Sequence, residues 1–277
     1  MKTESGIELT DDQVELLLGD LIDRYGYDFT DYSRASFKRR VTRLMDQDRF
    51  LSFAEFRFRL IDDANYLTRF VEQVTVNVTE MFRDPHFYRT LREQILPVLA
   101  TWPMIRIWHA GCSTGEEVYS LAILLKEANL QHKSVQYATD INPSVLQNAR
   151  AGIFPLSQMK QYSENYILSG GRADFSSYYT AQYSSAKFDE SLGKRVVLAT
   201  HNLVSDGTFN EFQLILCRNV MIYFDKALQD KAMRLFYDSL ETLGYLALGS
   251  KETIKFTSTA HKFKQLENRE RIWRKIA

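Results

Sequence analysis

The chain has no long apolar run and no net charge, and these absences exclude several classes of protein. No stretch of its 277 residues reaches the roughly eighteen apolar positions in a row that a membrane span needs, and the N-terminal MKTESGIELTDD has no apolar signal-peptide core. Thirty-five basic and thirty-five acidic residues balance, so charge gives no general attraction to nucleic acid or to an anionic membrane. We therefore expect a cytoplasmic protein, a monomer, with no membrane insertion and no nucleic-acid partner.

Cysteine and histidine are both scarce, at two and five residues. Cys112 and Cys217 fall at the ends of predicted strands, and we interpret them as reduced, buried thiols. The histidines are scattered, and His109, beside a glycine loop, is interpreted as structural. The sequence therefore predicts no metal site and no nucleophile of the His or Cys type.

The most informative segment is 104–128, where a short apolar strand leads through a loop of small residues into an amphipathic helix. The loop AGCSTGEE places Gly111 and Gly115 where the backbone must turn sharply and let a ligand approach. About twenty-five residues further on, YATD ends a second strand, and Asp140 stands where α/β nucleotide folds place the carboxylate that binds ribose hydroxyls. The pattern favours a nucleotide site; the alternative is a tight turn with surface glutamates.

Glu116 and Glu117 open the helix that follows this loop, and they indicate which nucleotide suits it. Turns that bind phosphate leave the helix N-terminus free of anions, because its N–H groups and positive dipole end are needed for the pyrophosphate. Two carboxylates repel a pyrophosphate but suit a cationic group, such as an α-ammonium or a sulfonium. The loop therefore favours S-adenosylmethionine over NAD.

The apolar pattern divides the chain into two domains. From Asp11 to about Asp84 it has a helical period, which predicts an all-helical domain over 1–84. Over 85–277 strands alternate with helices, which predicts an α/β fold with a mostly parallel sheet. The strand candidates are Ile105–Trp108, Val135–Thr139, Arg195–Thr200, Phe212–Cys217 and Tyr245–Gly249, with ERIWRKIA as an added edge strand.

The alternation fails between about 153 and 194, in a segment rich in Tyr, Ser and Gln. The β-prone runs SSYYTAQY and KRVVLAT predict that this insertion carries an antiparallel hairpin or a small sheet.

The second predicted helix, YSRASFKRRVTRLMDQ, is strongly basic, with Ser33 as its predicted N-cap. Its cationic residues are Arg34, Lys38, Arg39, Arg40 and Arg43. A basic face on a neutral protein favours an acidic partner, although charge runs often do no more than solvate one face of a helix.

Three further polar clusters lie at strand ends or entry loops, the positions at which open α/β sheets bind ligands. NVTEMFRDP contributes Asn77, Thr79 and Arg83, and THNLVSDG contributes Asn202 directly after a strand. LILCRNVMIYF places a guanidinium and an amide, Arg218 and Asn219, between two apolar runs, which is costly unless both find partners. Helix capping and ordinary turn chemistry remain the alternatives for the asparagines and the threonine.

Four strings together resemble the chemotaxis-receptor glutamate O-methyltransferases, the CheR family: NVTEMFRD, AGCSTGEEVYS, ATDINPSVLQNARAGIF and CRNVMIYF. Their order and approximate spacing agree, and the likeness spans nearly the whole chain. It implies an N-terminal helical domain and a class I, Rossmann-like methyltransferase domain with a small inserted β-subdomain. It also implies S-adenosylmethionine as methyl donor, S-adenosylhomocysteine as product, and glutamates on the cytoplasmic helices of methyl-accepting chemoreceptors as substrate.

The resemblance also implies roles for particular residues. The cofactor-binding set is Asn77, Thr79, Arg83, Ala110, Gly111, Glu116, Glu117, Asp140, Asn202, Leu203, Arg218 and Asn219. Arg83 and Tyr223 are the candidates for holding the substrate carboxylate, and the basic helix would lie along the acidic helical bundle of a receptor. Two positions depart from the family pattern: Val118 replaces a proline, and LSGGRADFSSYY matches poorly the loop of members that dock on a receptor's C-terminal pentapeptide.

Two other functions remain open at this point. The first alternative is a class I methyltransferase with another substrate. The second is an S-adenosylmethionine-binding interaction module without catalysis. A nicotinamide dehydrogenase is disfavoured by the two glutamates at the helix start.

Overall fold

The larger part of the molecule is built on a seven-stranded sheet. The computed structural model describes residues 9–25, 27, 29–30, 32–74, 79–266 and 270–276. The sheet has the order β6-β2-β1-β7-β8-β10-β9, in which the first five strands are parallel and β10 is antiparallel to both of its neighbours. Its strands are β1 (Ile105–Ala110), β2 (Ser134–Asp140), β6 (Val196–Thr200), β7 (Phe212–Cys217), β8 (Leu240–Leu248), β9 (Phe263–Gln265) and β10 (Ile272–Lys275).

Helices cover both faces of this sheet. Because alternate residues of a strand point to opposite faces, neighbouring residues of one strand pack in different layers. Ile105 and Ile107 of β1 pack in the layer that contains α7 (Glu116–Glu127), whereas Trp108 packs in the layer that contains α11 (Lys226–Ser239). All six residues of β7 are buried, as expected for a parallel strand covered on both sides. The other helices of this part are α5 (Pro85–Thr90), α6 (Leu96–Leu99), α8 (Pro143–Ala151), α9 (Met159–Leu168) and α10 (Glu190–Gly193).

The predicted strands are all present, but two expectations about strand position are wrong. The strand of ERIWRKIA, β10, lies between β8 and β9, so β9 is the edge strand on that side. KRVVLAT belongs to the central sheet as β6, where Val196 pairs in parallel with Gln136 of β2. The sequence of such a run does not show which strand it pairs with, because pairing depends on which sheet edge the folded chain brings it to.

The insertion carries a small antiparallel sheet, which confirms the prediction. Its strands β3 (Ile153–Pro155), β4 (Tyr179–Gln182) and β5 (Ser185–Phe188) have the order β3-β5-β4. Phe154 and Phe188 bury their rings in the same core as α7, so the insertion is anchored to the main sheet.

The described residues of the N-terminal part form four helices, and the apolar period predicts a helical domain there: α1 (Asp11–Tyr25), α2 (Arg34–Gln47), α3 (Phe53–Asp62) and α4 (Ala64–Val74). They enclose a separate core that contains Leu17, Phe56 and Phe70. Ser33 precedes α2 as predicted, but its side chain makes no capping hydrogen bond. Among the described residues, no helix has the length and apolar character that crossing a membrane requires.

Candidate active site

A pocket opens at the carboxyl ends of β1, β2 and β7, and α2 forms part of its opposite wall. Parallel strands end at this edge, and β1 lies between β2 and β7, so the loops that follow diverge and leave a crevice. Of the residues predicted from the sequence, Thr79, Arg83, Gly111, Glu117, Asp140, Asn202, Leu203, Arg218, Asn219 and Tyr223 line it. Ala110 and Glu116 are not among its lining residues, and Asn77 lies outside the described residues.

Gly111 shows why the loop after β1 needs glycine. Its φ of 79° is in the left-handed region, and a Cβ there would lie 2.5 Å from Cγ2 of Val220, in the loop after β7. The N–H groups of Gly111 and Cys112 both donate to the carbonyl of Thr139, at 2.8 and 2.9 Å. The loop is therefore tied to the end of β2, close to Asp140.

Asp140 is a buried carboxylate at the end of β2, 8% exposed. It accepts hydrogen bonds from the backbone N–H groups of Ser113 at 2.9 Å and Asn142 at 3.0 Å. Burial raises the pKa of Asp140, and these N–H donors oppose that rise. A carboxylate fixed in this way on a pocket wall suits a pair of ligand hydroxyls, such as those of a ribose.

The two glutamates at the start of α7 have different surroundings. Glu116 is 6% exposed and accepts a hydrogen bond from the Thr114 hydroxyl at 2.6 Å. Glu117 lies on the pocket wall, with one oxygen 2.9 Å from Nδ1 of His109 and the other 3.4 Å from Nη1 of Arg218. Burial tends to raise the pKa of Glu117, but His109 and Arg218 outweigh it and hold that pKa below its ordinary value.

The guanidinium of Arg218 is buried between two apolar runs, and it has several partners there. Its side chain, 3% exposed, also bonds the Asp84 carboxylate at 2.7 Å and the Arg83 carbonyl at 2.9 Å. Its guanidinium lies 4.1 Å from the ring centre of Phe87. The residue thus links the pocket wall to the start of α5.

Several polar atoms of the pocket wall are buried without a hydrogen-bond partner among the described residues. They are Oγ of Ser113, Nδ1 of His201, Nδ2 of Asn202, Nε of Arg218 and Oδ1 of Asn219. Buried polar atoms are normally paired, since leaving one unpaired costs free energy. This set of donors and acceptors therefore fits a ligand with several polar groups, and an adenosyl group is one such ligand.

Tyr223 lies at the pocket where the two parts of the molecule meet. It ends the short 3₁₀ turn Met221–Tyr223, and its carbonyl accepts from the N–H of Ser33 at 2.9 Å. The guanidinium of Arg40 lies 5.8 Å from the ring centre of Tyr223, and Arg40 itself lines the pocket. The next residue, Phe224, forms a β-bridge with Tyr32, and their ring centres are 5.3 Å apart.

The basic residues of α2 face three different surroundings. Arg34 and Lys38 form ion pairs with Glu15 and Asp11 of α1. Arg40 is directed to the pocket, and Arg39 and Arg43 are exposed.

Sequence reasoning missed Glu252, which supports the wall from behind. Its buried carboxylate accepts from the N–H groups of Gly249 at 2.6 Å, Asn219 at 2.9 Å and Val220 at 3.0 Å. Asn219 has a left-handed φ of 62°, so these bonds hold a strained segment in place. A lone glutamate in SKETI gives no signal of this role. The wall residues Tyr32, Ser36 and Phe37 were missed as well, because they belong to the other domain.

Both cysteines are free and buried, as expected. Burial raises the pKa of each thiol well above its ordinary value, so neither supplies a thiolate nucleophile at neutral pH. Within the described ranges, no three His, Cys, Asp or Glu side chains are grouped to hold a metal ion, and the expectation that no metal takes part stays a prediction.

Comparison with known proteins shows where this chain belongs. Residues 3–75 match the family described as "CheR methyltransferase, all-alpha domain", and residues 77–272 match "CheR methyltransferase, SAM binding domain". A Pseudomonas putida protein named "Putative methyltransferase Cher3" is 46% identical over 266 residues, which cover 96% of this chain and 97% of that protein.

Two further relatives are each named "Chemotaxis protein methyltransferase". That of Listeria innocua is 32% identical over 232 residues, covering 83% of this chain and 85% of the relative. That of Salmonella typhimurium is 32% identical over 231 residues, covering 80% of this chain and 74% of the relative.

The fold is that of a Rossmann-like methyltransferase domain preceded by an all-helical domain, and the protein is an S-adenosylmethionine-dependent methyltransferase. The chain belongs to the CheR methyltransferase family, which confirms the resemblance drawn from its motifs.

Proposed function

We propose that this protein transfers the methyl group of S-adenosylmethionine to glutamate side chains on the cytoplasmic helices of chemoreceptors, forming methyl esters in the cytoplasm. The observation that carries the proposal is one pocket lined by Asp140 and Glu117 together with Arg83 and Tyr223. Carboxylates suited to a ribose and an ammonium thus share a cavity with groups suited to an anionic acceptor. Relatives named chemotaxis protein methyltransferases support the substrate class.

The cofactor-binding roles follow from the walls of the pocket. We assign Asp140 to the ribose hydroxyls, and Asn202 with Leu203 to the adenine. Gly111 and Glu117 would bind the methionine end, where the Glu117 carboxylate suits the α-ammonium. Thr79, Arg218 and Asn219 complete the wall. The predicted role of Asn77 remains part of this proposal without a structural description.

The chemistry needs alignment more than proton transfer. The bound cofactor supplies an electrophilic methyl group, which an acceptor oxygen takes by in-line displacement as the C–O bond forms, the S–C bond breaks and a neutral thioether leaves. A glutamate with an ordinary pKa of about 4.3 is already ionised at neutral pH, so no general base is required. The residues of the pocket therefore act by orienting the acceptor and by excluding water from it.

Arg83 and Tyr223 are the residues that we assign to the acceptor carboxylate. A guanidinium can bind a carboxylate in a fixed geometry, and a phenol can donate to one of its oxygens. Binding must stay moderate, because a tight ion pair in the ground state would slow the reaction.

The test is transfer of radiolabelled methyl groups to membranes that carry candidate receptors, with base-labile release of methanol as the signature of an ester. Arg83→Ala should lower kcat/KM about a hundredfold, since misplacing a reacting group costs rates of that order. Tyr223→Phe should lower it less, because the ring stays in place. Near-normal turnover in Arg83→Ala would remove Arg83 from this role.

The same assay separates the alternatives. Binding of S-adenosylhomocysteine without methylation of any acceptor would indicate a non-catalytic module. Labelling of a non-receptor substrate in preference to receptors would indicate a methyltransferase of other specificity.

A further inference from the structure

His109 is a fully buried histidine on the central strand β1, and the proposed function gives it no role. Its exposure is 0%, and it lies on β1 two residues before Gly111. Neighbouring positions on the same face, such as Ile105 and Ile107, are apolar and pack against α7. A polar ring at this place in the core costs free energy unless both of its nitrogens are bonded.

Both nitrogens of His109 are in fact bonded, and one bond leads to the pocket. Nδ1 lies 2.9 Å from Oε1 of Glu117, and Nε2 lies 2.9 Å from Oε1 of Gln136, which is 3% exposed on β2. An ionised carboxylate can only accept a hydrogen bond, so the ring proton is on Nδ1 and Nε2 accepts. The donor to Nε2 is then the amide NH2 group of Gln136, which a half-turn of that amide brings to the position of Oε1. The ring thus joins a residue of the pocket wall to a fixed amide on the neighbouring strand.

Glu117 has a competing partner in Arg218, whose Nη1 is 3.4 Å from the other carboxylate oxygen. Without a donor on the His109 side, the carboxylate is free to turn and pair with the guanidinium through both oxygens. That rotation would withdraw negative charge from a ligand in the pocket. His109 and Arg218 therefore hold the carboxylate between them.

We infer that His109 is a positioning residue, which holds Glu117 in the orientation that binds the amino-acid end of the cofactor, with Gln136 fixing its ring. The inference rests on the proposed function, since it takes Glu117 as the partner of the cofactor's ammonium group. It predicts a defect confined to ligands that carry the amino-acid group.

Two amide variants of His109 provide the test, measured by calorimetry with two ligands. S-adenosylhomocysteine carries the amino-acid group, and 5′-methylthioadenosine lacks it. In His109→Asn the amide nitrogen can take the place of Nδ1, whereas in His109→Gln it takes the place of Nε2. We expect His109→Gln to bind S-adenosylhomocysteine at least about tenfold more weakly, the size of one charge-assisted hydrogen bond, and His109→Asn to stay near wild type. Both should bind 5′-methylthioadenosine within about twofold of wild type.

Equal losses for the two ligands in both variants would show a merely structural role and overturn the inference, as would unchanged binding of S-adenosylhomocysteine in His109→Gln. If His109→Gln fails to fold, Gln136→Met replaces it, because it frees the ring while leaving Nδ1 present. It should weaken S-adenosylhomocysteine selectively and by a smaller factor, and equal weakening of both ligands would count against the inference.

The outcome for the proposed function is read separately. Wild-type protein that binds neither ligand would contradict the cofactor site itself. Wild-type binding with no selective loss in Glu117→Gln would contradict the role of Glu117, whatever the His109 variants do.

Discussion

Glu116 and Glu117 are adjacent residues of one type, yet the fold gives their carboxylates opposite environments. Glu116 accepts a hydrogen bond from the Thr114 hydroxyl, and burial raises its pKa in spite of that bond. Glu117 has the ring of His109 and the guanidinium of Arg218, which together hold its pKa low. Of the two, Glu117 reaches the pocket, so the acidic character of the loop depends on one side chain of the pair.

Replacing Glu116 by glutamine should stabilise the protein at pH 7. A carboxyl whose pKa is raised by folding contributes most stability below its unfolded pKa of about 4.3 and loses it as the pH rises through the folded value. The neutral amide avoids that loss, so Glu116→Gln should raise the free energy of unfolding measured with urea at pH 7, and the gain should fade towards pH 4.

Glu117→Gln is the matched control, with the opposite sign. Its lowered pKa contributes stability above the unfolded pKa, and this is lost as the pH falls, so removing the charge should destabilise the protein at pH 7. Binding of S-adenosylhomocysteine should be unchanged in Glu116→Gln. Weaker binding there would instead support the sequence-based prediction that Glu116 binds the cofactor.

At the scale of elements, helix α2 contacts α1 on one side and the pocket on another, and a third side of the helix is exposed. Arg34 and Lys38 are paired with α1, and Arg40 lies over Tyr223 at the pocket. Arg39 and Arg43 are exposed. Part of the basic run predicted from the sequence therefore makes contacts within the protein, and the exposed pair Arg39 and Arg43 remains available to an acidic partner.

Reversing the charges of the exposed pair tests this surface. The double variant Arg39→Glu and Arg43→Glu should raise the KM for receptor membranes at least about tenfold at low salt, because like charges across an interface are unfavourable. The turnover number at saturating receptor and the affinity for S-adenosylhomocysteine should not change. The difference should shrink as salt screens the charges over a Debye length of about 10 Å at 0.1 M.

Lys264→Glu, an exposed charge reversal on the edge strand β9, is the control and should leave the KM unchanged. Unaltered receptor methylation by the double variant at low salt would exclude α2 as the docking surface.

At the scale of the whole molecule, the pocket belongs to both domains. Tyr32, Phe37 and Arg40 from the helical domain line it together with Gly111 and Asp140 from the sheet. A ligand in it would contact residues of both domains, and binding is expected to stabilise both.

S-adenosylhomocysteine at a hundred times its Kd should raise the free energy of unfolding by about 2.7 kcal/mol, and NAD at the same concentration should give no thermal shift. Hydrogen exchange should slow in α2 as well as in the loop 110–117. A stabilisation by NAD without one by S-adenosylhomocysteine would contradict the cofactor assignment, and protection confined to the loop would show that the helical domain does not close the site.

The sequence by itself determined the class of fold, the cofactor and the family. These rest on local signals: a glycine loop between strand and helix, Asp140 after a second strand, and apolar runs whose period distinguishes strands from helices. Pocket residues that lie inside such strings, such as Asp140, Arg218 and Asn219, were found for the same reason. The division at residue 84 rests on the same patterns and stays a prediction.

Only the tertiary structure decided which residues meet across the chain. It brought Glu252 behind Asn219, placed Arg40 over Tyr223, joined KRVVLAT to the central sheet, and set His109 between Glu117 and Gln136. The physical reason is that a hydrogen bond, a ring contact or a strand pairing depends on where two distant segments pack. Burial and its partners then change what a side chain does, so that the pKa values of two neighbouring glutamates are shifted in opposite directions.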